Sequence, residues 1–464
     1  MFQFFLSLFA GARPEKIPAP PDTLNTEVEH WPMSNSVFAA DYKNSPYWWE
    51  AAPRGIEADG ALPAKADVVI IGSGYTGLCA ALETARTGRH TVILEAEEIG
   101  WGCSTRNGGQ VSTSIKPDDA ELTTRHGRER AMAILREGHN ALAWIENFIS
   151  AEGIDCAFAR VGRFHAAHNP RRYEALAQRL KNQPKGLEIE AHMVPRAEQR
   201  RELGSDAYFG GAVFARHAAL DPARYHQGLL ERVLNAGATV VGRCPVAGIE
   251  RAGAGFRLTT PRGRLAARDV IVATNGYTGG ATPWLRRRVI PIGSYMIATE
   301  PLAPELMNRL MPRNRVISDT RKLVYYYRAS PDRRRILFGG RVAYKETDPQ
   351  VSAPRLHREM ARLFPELSEV KISHSWMGFV AYTFDTLPHL GRRDGIYYAM
   401  GYCGSGISLA SYFGTRIGQQ VVGKKEGATA LDGLDFPTRP YYWGNPWFLA
   451  PAIRYYGWHD RRMR

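Results

Sequence analysis

Residues 66–95, ADVVIIGSGYTGLCAALETARTGRHTVILE, decide the fold. Residues 68–71 are a continuous apolar run ending in glycine, as expected of a parallel strand buried on both faces. Gly72, Gly74 and Gly77 then form G-x-G-x-x-G. The first permits a tight turn, the second lets a pyrophosphate approach the backbone, and the third lets helix and strand pack closely. A helix marked by Leu78, Ala81, Leu82 and Ala85 would present free N–H groups to the phosphates before it breaks at Gly88. A second strand over 91–94 delivers Glu95, about 20 residues past the glycines, where a carboxylate accepts hydrogen bonds from ribose hydroxyls and repels a 2′-phosphate. Strand, turn, helix, strand and acid agree, so a dinucleotide site is predicted rather than a chance glycine turn.

Immediately beyond lies a second small-residue loop, AEEIGWGCSTRNGGQVSTS (96–114). Ser104 and Arg106 could reach a pyrophosphate, while Asn107, Gly108, Gly109 and Gln110 let backbone amides approach a flat ring. Taken alone, the same composition also reads as surface turns. Together the two stretches resemble the D-amino-acid oxidase superfamily of FAD-dependent oxidoreductases, in particular its γ-glutamylputrescine oxidase branch, through GSGYTGL, Glu95 and GWGCSTRNGGQ. The resemblance runs from about Tyr47 onward and is most specific at RNGGQ, 106–110. It implies FAD rather than NAD, with the backbone near Val246 holding the adenine.

Further along, 225–236 has helical spacing, 237–241 and 270–274 read as buried strands, and 249–269 alternates as a meander with a turn at 261–263. The chain returns at 396–400, a strand ending in the glycine loop Gly401, Gly404, Gly406, with a helix from Ile407. In the resembling family this helix points at the flavin pyrimidine, where its dipole favours the negative charge that grows on reduction. The predicted class is α/β: a Rossmann-type FAD-binding domain (65–150, 221–284, 373–425) with a discontinuous antiparallel-sheet substrate domain (151–220, 285–372). Residues 1–64 read as an arm wrapping the first domain, and 426–464 as an aromatic, basic tail.

The chemistry implied is oxidation of a C–N bond in an amine, its carbon held within about 3.5 Å of flavin N5 and shielded from water. A substrate bound as free amine needs no general base, and none is assigned. The G-F-R-P arginine that holds substrate carboxylates in D-amino-acid oxidases is replaced by Gly378-Phe379-Val380-Ala381, and the basic residue of sarcosine oxidases by a neutral one near Ser408. Their flavin-linking cysteine falls on Gly378, so FAD is expected to be non-covalent. Tyr295, Tyr325, Tyr327 and Arg341 are the expected pocket wall, since aromatic walls suit an alkylamine chain; ordinary sheet packing is the competing reading. His374 and His389 are expected to be structural.

The 464 residues carry 60 Lys plus Arg against 46 Asp plus Glu, and a surplus of +14 attracts anions without choosing among them. Five scattered cysteines (Cys79, Cys103, Cys156, Cys244, Cys403) with no C-x-x-C suggest neither a disulfide framework nor zinc, and fit a reducing cytoplasm. The apolar 2–12 segment is too short to span a bilayer, but it and the tail (441–464) interleave aromatics with basic residues, as at a membrane interface. The alternative is docking on the protein's own surface. Oxygen or a membrane quinone could accept the electrons. A tRNA-modifying flavoenzyme and a purely structural flavoprotein are rival readings, although no nucleic-acid-binding module is legible.

Overall fold

The computed structural model describes residues 37–52, 60–343 and 346–462. The apolar 2–12 segment and the proline-rich stretch after it lie outside these residues.

The first unit is an eight-stranded sheet. Its parallel strands Lys65–Ile71, Thr91–Leu94 and Thr239–Val241 lie side by side, with Gly263–Val272 along the other edge of Lys65–Ile71. The second half of Gly263–Val272 pairs in parallel with Ile396–Met400, and its first half carries the antiparallel hairpin Gly248–Ala252 and Gly255–Thr260. Val68, Val69, Ile70, Val92, Ile93 and Val270 are fully buried because helices cover one face and the hairpin residues Phe256, Leu258 and Leu265, with Phe436, cover the other, which explains the unbroken apolar runs. The helices Tyr75–Arg86 and Gly406–Val421 cross on small residues: a Cβ on Gly414 would come within 2.5 Å of the Thr76 carbonyl oxygen, and one on Gly418 within 2.8 Å of that of Ala80. Glu137 of the long helix Arg128–Ala151 ties the second of these helices to the loop after it, accepting hydrogen bonds from Tyr412 Oη and the Ala430 N–H, both at 2.8 Å.

The second unit is a nine-stranded sheet, ordered Phe38–Lys43, Ile372–Thr383, Val289–Thr299, Ile336–Gly340, Tyr326–Ala329, Val316–Asp319, Arg163–Ala166, Gly211–Phe214, Ala191–Val194. Pairing is antiparallel except at two junctions, the Phe38–Lys43 edge and the Val316–Asp319/Arg163–Ala166 pair. The architecture is thus α/β, with a Rossmann-type unit and a discontinuous, mainly antiparallel sheet. Two boundaries differ from the sequence reading. Ile372–Thr383 lies inside the nine-stranded sheet, paired along its length with Val289–Thr299, rather than with the first unit. Residues 38–43, expected in an arm around the first unit, instead pair with that strand and extend the second sheet.

The nine-stranded sheet has two unlike faces. Tyr295, Ile297, Tyr327 and Phe338 pack outward with Leu356, Met360 and Phe364 of the Pro349–Leu363 region. Met296, Ala298, Leu337 and Trp376 point inward against Trp48. The tail folds back onto the sheet's inner edge. Phe448, Leu449 and Ile453 pack with Ile290, Phe384 and Tyr442, and Asp460 accepts hydrogen bonds from the backbone amides of Lys322 (3.1 Å) and Leu323 (3.0 Å). Among the described residues, no helix is long and apolar enough to cross a membrane.

Candidate functional site: a dinucleotide cradle beneath a sheet

The glycine turn is built by close approach. Gly72 has φ +104°, which L side chains rarely adopt, and a Cβ on Gly77 would lie 1.9 Å from the Gly72 carbonyl oxygen. At the end of its strand Glu95 accepts hydrogen bonds from the Ser73 N–H (2.9 Å) and Ser73 Oγ (2.7 Å), which fix the carboxylate beside the turn. Cys244 N–H donates to the Glu95 carbonyl at 2.7 Å, bringing Val246, two residues on, to the same end of the cradle.

The small-residue loop docks between the two units. Ser104 Oγ accepts from the Tyr75 N–H at 3.0 Å, capping an amide in the first turn of the Tyr75–Arg86 helix. Asn107 organises the loop internally: its Nδ2 donates to the Cys103 and Ser104 carbonyls (3.2 and 3.0 Å) and its Oδ1 accepts from the Gly109 N–H (3.0 Å). A Cβ on Gly108 would come within 2.9 Å of the Tyr326 ring, and Gly109 takes φ +66°. Gln110 Nε2 reaches into the sheet, donating to the Ile317 (3.1 Å) and Tyr327 (3.4 Å) carbonyls. Arg106 does not turn toward the phosphate turn. Its Nε donates to the Trp101 carbonyl (2.6 Å) and an Nη to that of Met377 (3.2 Å), and the guanidinium lies 4.7 and 4.5 Å from the Trp49 and Trp101 ring centres. Two indoles and two carbonyls satisfy a planar cation where it stands.

At the far end, Gly401 (φ +83°) receives Asn275 Oδ1 on its N–H at 2.9 Å, and Gly404 has φ +93°. Nothing lies within 4 Å of a Cβ built on Gly406, and Ser405 makes no side-chain cap, so the helix Gly406–Val421 starts in open space. Ile407 is buried in the packing behind it. Because Gly414 meets Thr76 and Gly418 meets Ala80, the two glycine-led helices run parallel. The Gly406 end is therefore stepped forward by about seven residues, roughly 10 Å of helix. Two anion-favouring helix ends offset by that length suit a long ligand with a pyrophosphate at one end and an electron-accepting ring at the other.

The four predicted wall residues are not brought together over this space. Tyr295 and Tyr327 are fully buried in the outward core: Tyr295 Oη bonds Glu346 (3.1 Å) and the Thr347 N–H (2.8 Å), and Tyr327 Oη bonds Tyr208 (3.3 Å). Tyr325 leans on Phe338, and Arg341 is held by the Gly293 carbonyl and Glu346. Tyr325 and Tyr327 both turn to the outward core and the residue between them takes the other face, since each step along the chain here changes face. The residue facing the loop is Tyr326, its Oη 2.9 Å from Ser294 Oγ, and burial raises its pKa to about 12, keeping it a neutral phenol. Sequence reasoning also passed over Trp48 and Trp49, whose indole N–H groups donate at 2.9 Å to the Asn107 carbonyl and Thr105 Oγ1. The YWW run before the glycine turn was the only signal for them. His374 pairs with Glu50 (3.1 Å) and His389 with Asp385 (3.0 Å), neither on the Gly404 loop.

A tight glycine turn, a carboxylate fixed beside it and a second glycine-led helix beneath a separate sheet are the arrangement of a flavin-dinucleotide enzyme. The chain belongs to the FAD dependent oxidoreductase (DAO) family, whose model matches residues 67–420. It is 31% identical to the gamma-glutamylputrescine oxidoreductase of Escherichia coli K12 over 85% of this chain and 93% of that protein. It is 29% identical to a probable oxidoreductase, OrdL, of Haemophilus influenzae over 80% of this chain and 86% of that one. Its fold matches glycine oxidase from Geobacillus kaustophilus with a TM-score of 0.68 at 19% identity, covering 82% of this chain and all of that one. L-proline dehydrogenase from P. horikoshii follows with a TM-score of 0.64 at 16% identity, covering 84% and 99%.

Proposed function

We propose that this enzyme oxidises a C–N bond in an amine or amino-acid derivative of the γ-glutamylputrescine type, releasing an imine that water hydrolyses. The observation that carries this reading is the 31% identity with gamma-glutamylputrescine oxidoreductase along nearly all of both chains. FAD would supply the two-electron acceptor. Gly72, Gly74 and Gly77 would receive the pyrophosphate, Glu95 the ribose, the chain near Val246 the adenine, and the 107–110 and 401–406 loops the ring. The chain's own task would then be to bind and orient the amine between the Gly404 loop and Tyr326 and to keep water from it.

FAD is held without a covalent bond, because Gly378 stands where a linking cysteine would be needed. Yellow colour pelleting with acid-precipitated protein would contradict this. The function itself is tested by adding γ-glutamylputrescine, free putrescine and simple imino acids anaerobically to the holoenzyme and following the visible flavin absorbance. Bleaching by the γ-glutamylated amine is expected, and bleaching by no amine would overturn the reading. A quinone acceptor at a membrane surface is the second reading. It is favoured by Trp443, Trp447 and Trp458, which are 67, 56 and 44% exposed, with the Arg287 guanidinium 3.9 Å from the Trp443 ring centre. Slow reoxidation by air and fast reoxidation by a soluble quinone would establish it.

A further inference from the structure

The inner wall opposite the Gly404 loop carries cations that form no ion pair among the described residues. Arg163 and His165 are alternate residues on the inner face of the Arg163–Ala166 strand, whereas Phe164 between them packs into the outward core. Arg163 Nε is buried without a hydrogen-bond partner, and its guanidinium lies 4.8 Å from the Phe214 ring centre. Phe214 stacks on His217 (5.3 Å), whose Nδ1 is also buried without a partner and whose Nε2 is 3.3 Å from Thr113 Oγ1. Thr113 leads along the chain to Lys116, and Lys116 Nζ stands 4.0 Å from a Cβ built on Gly404.

Apart from the Cys403 thiol, the groups acting on this set are cationic. Lys116 feels Arg163, Arg179 and the Cys403 thiol; Arg163 feels Arg179; His165 and His217 feel Arg163. Burial lowers the Arg163 pKa only to about 10, so it stays charged at neutral pH, while both histidines are held well below their ordinary value and stay neutral. Arg163 is half-buried and Lys116 is exposed to the open space, so a guanidinium whose Nε is buried without a partner and an ammonium open to the cradle can both receive an anion that arrives with the ligand. The wall belongs to the nine-stranded sheet and to the Gly404 end of the cradle rather than to the phosphate turn.

We propose that Arg163, assisted by Lys116, forms the subsite for a substrate carboxylate, held on the sheet wall while the amine lies at the Gly404 loop. This rests on the amine-oxidation reading, and it gives the enzyme an anion anchor on a different strand from the one where Val380 replaces an arginine. The carboxylate accepts hydrogen bonds from the guanidinium and the ammonium, and the neutral His165 and His217 add no competing charge.

The test titrates holoenzyme with butyrate, which cannot be oxidised at a C–N bond, and with its neutral isostere butyramide, following the flavin spectrum. Butyrate is expected to perturb the spectrum and butyramide not. Arg163→Gln and Lys116→Met should each weaken butyrate by about tenfold or more while flavin content and unfolding midpoint are retained. In turnover, KM for a carboxylate-bearing amine should rise in both variants, with little change in kcat or in the KM of an uncharged amine. Equal binding of butyramide, or butyrate binding unchanged in Arg163→Gln and in Lys116→Met, would overturn the subsite even where amines still bleach the flavin. Arginine-dependent butyrate binding without bleaching by any amine would keep the subsite and sink the amine reading.

Discussion

Gly77 shows how much can hang on one hydrogen atom. With a Cβ 1.9 Å from the Gly72 carbonyl oxygen, Gly77→Ala cannot keep both the turn and the helix start, so the variant should purify with most of its FAD lost, read as the ratio of visible to ultraviolet absorbance. The buried histidines set a second expectation. Burial depresses the pKa of His165, His217, His226 and His374 below 6.5 and that of His168 to about 4. The unfolded chain therefore binds more protons than the folded one below pH 6.5. Stability should be fully present above that pH and fall as pH drops toward 4, by up to roughly 1.4 kcal/mol per pH unit for each such histidine. Urea midpoints at pH 7.5 and 5.5 measure it, and equal midpoints would refute it. At this scale the sequence was legible where chemistry demands one residue type, as at Gly72 and Glu95. It was not legible where two types alternate: a YYYR strand reads the same in either phase, and only the tertiary partners, Phe338 on one side and Gly108 on the other, decide that Tyr326 faces the site.

Between elements, the crossing of Tyr75–Arg86 with Gly406–Val421 is the contact on which the cradle depends, since it sets the step between the two helix ends. Gly414→Leu would push side-chain atoms into the Thr76 backbone and should cost about 1–3 kcal/mol or more in stability, together with weakened FAD retention. A Leu variant with the parental urea midpoint would show that the helices can slide apart freely. The strand–turn–helix–strand unit was readable because short continuous apolar runs give way to helical spacing and back, and its glycines punctuate it. The edge strand Phe38–Lys43 was not: it is six residues long with an irregular register, and its role comes from a partner, Ile372–Thr383, found far along the chain. The same long-range pairing moved Ile372–Thr383 out of the first unit.

Across the whole molecule, the cradle joins the Rossmann-type unit to the inner face of the other sheet, with the 103–110 loop bonded to both. A ligand that touches all three binds the folded chain and not the unfolded one, so FAD at 1,000 times its Kd should add about 4 kcal/mol and raise Tm, while flavin-stripped protein should melt lower by several degrees. Unchanged Tm on stripping would place the ligand outside this junction. The +14 charge, undecided as a sequence property, has one internal outlet in the Arg163 and Lys116 wall.

The Thr76 hydroxyl hydrogen-bonds Tyr402, 326 positions later, at 2.7 Å. On a ribosome adding about 5–20 residues per second, the phosphate turn therefore waits roughly 15–65 s before the strand and helix that complete its floor have been made. Cofactor capture is a late event in the life of this chain, although both sheet neighbours of the 68–71 strand, Thr91–Leu94 and Gly263–Val272, have been made well before it.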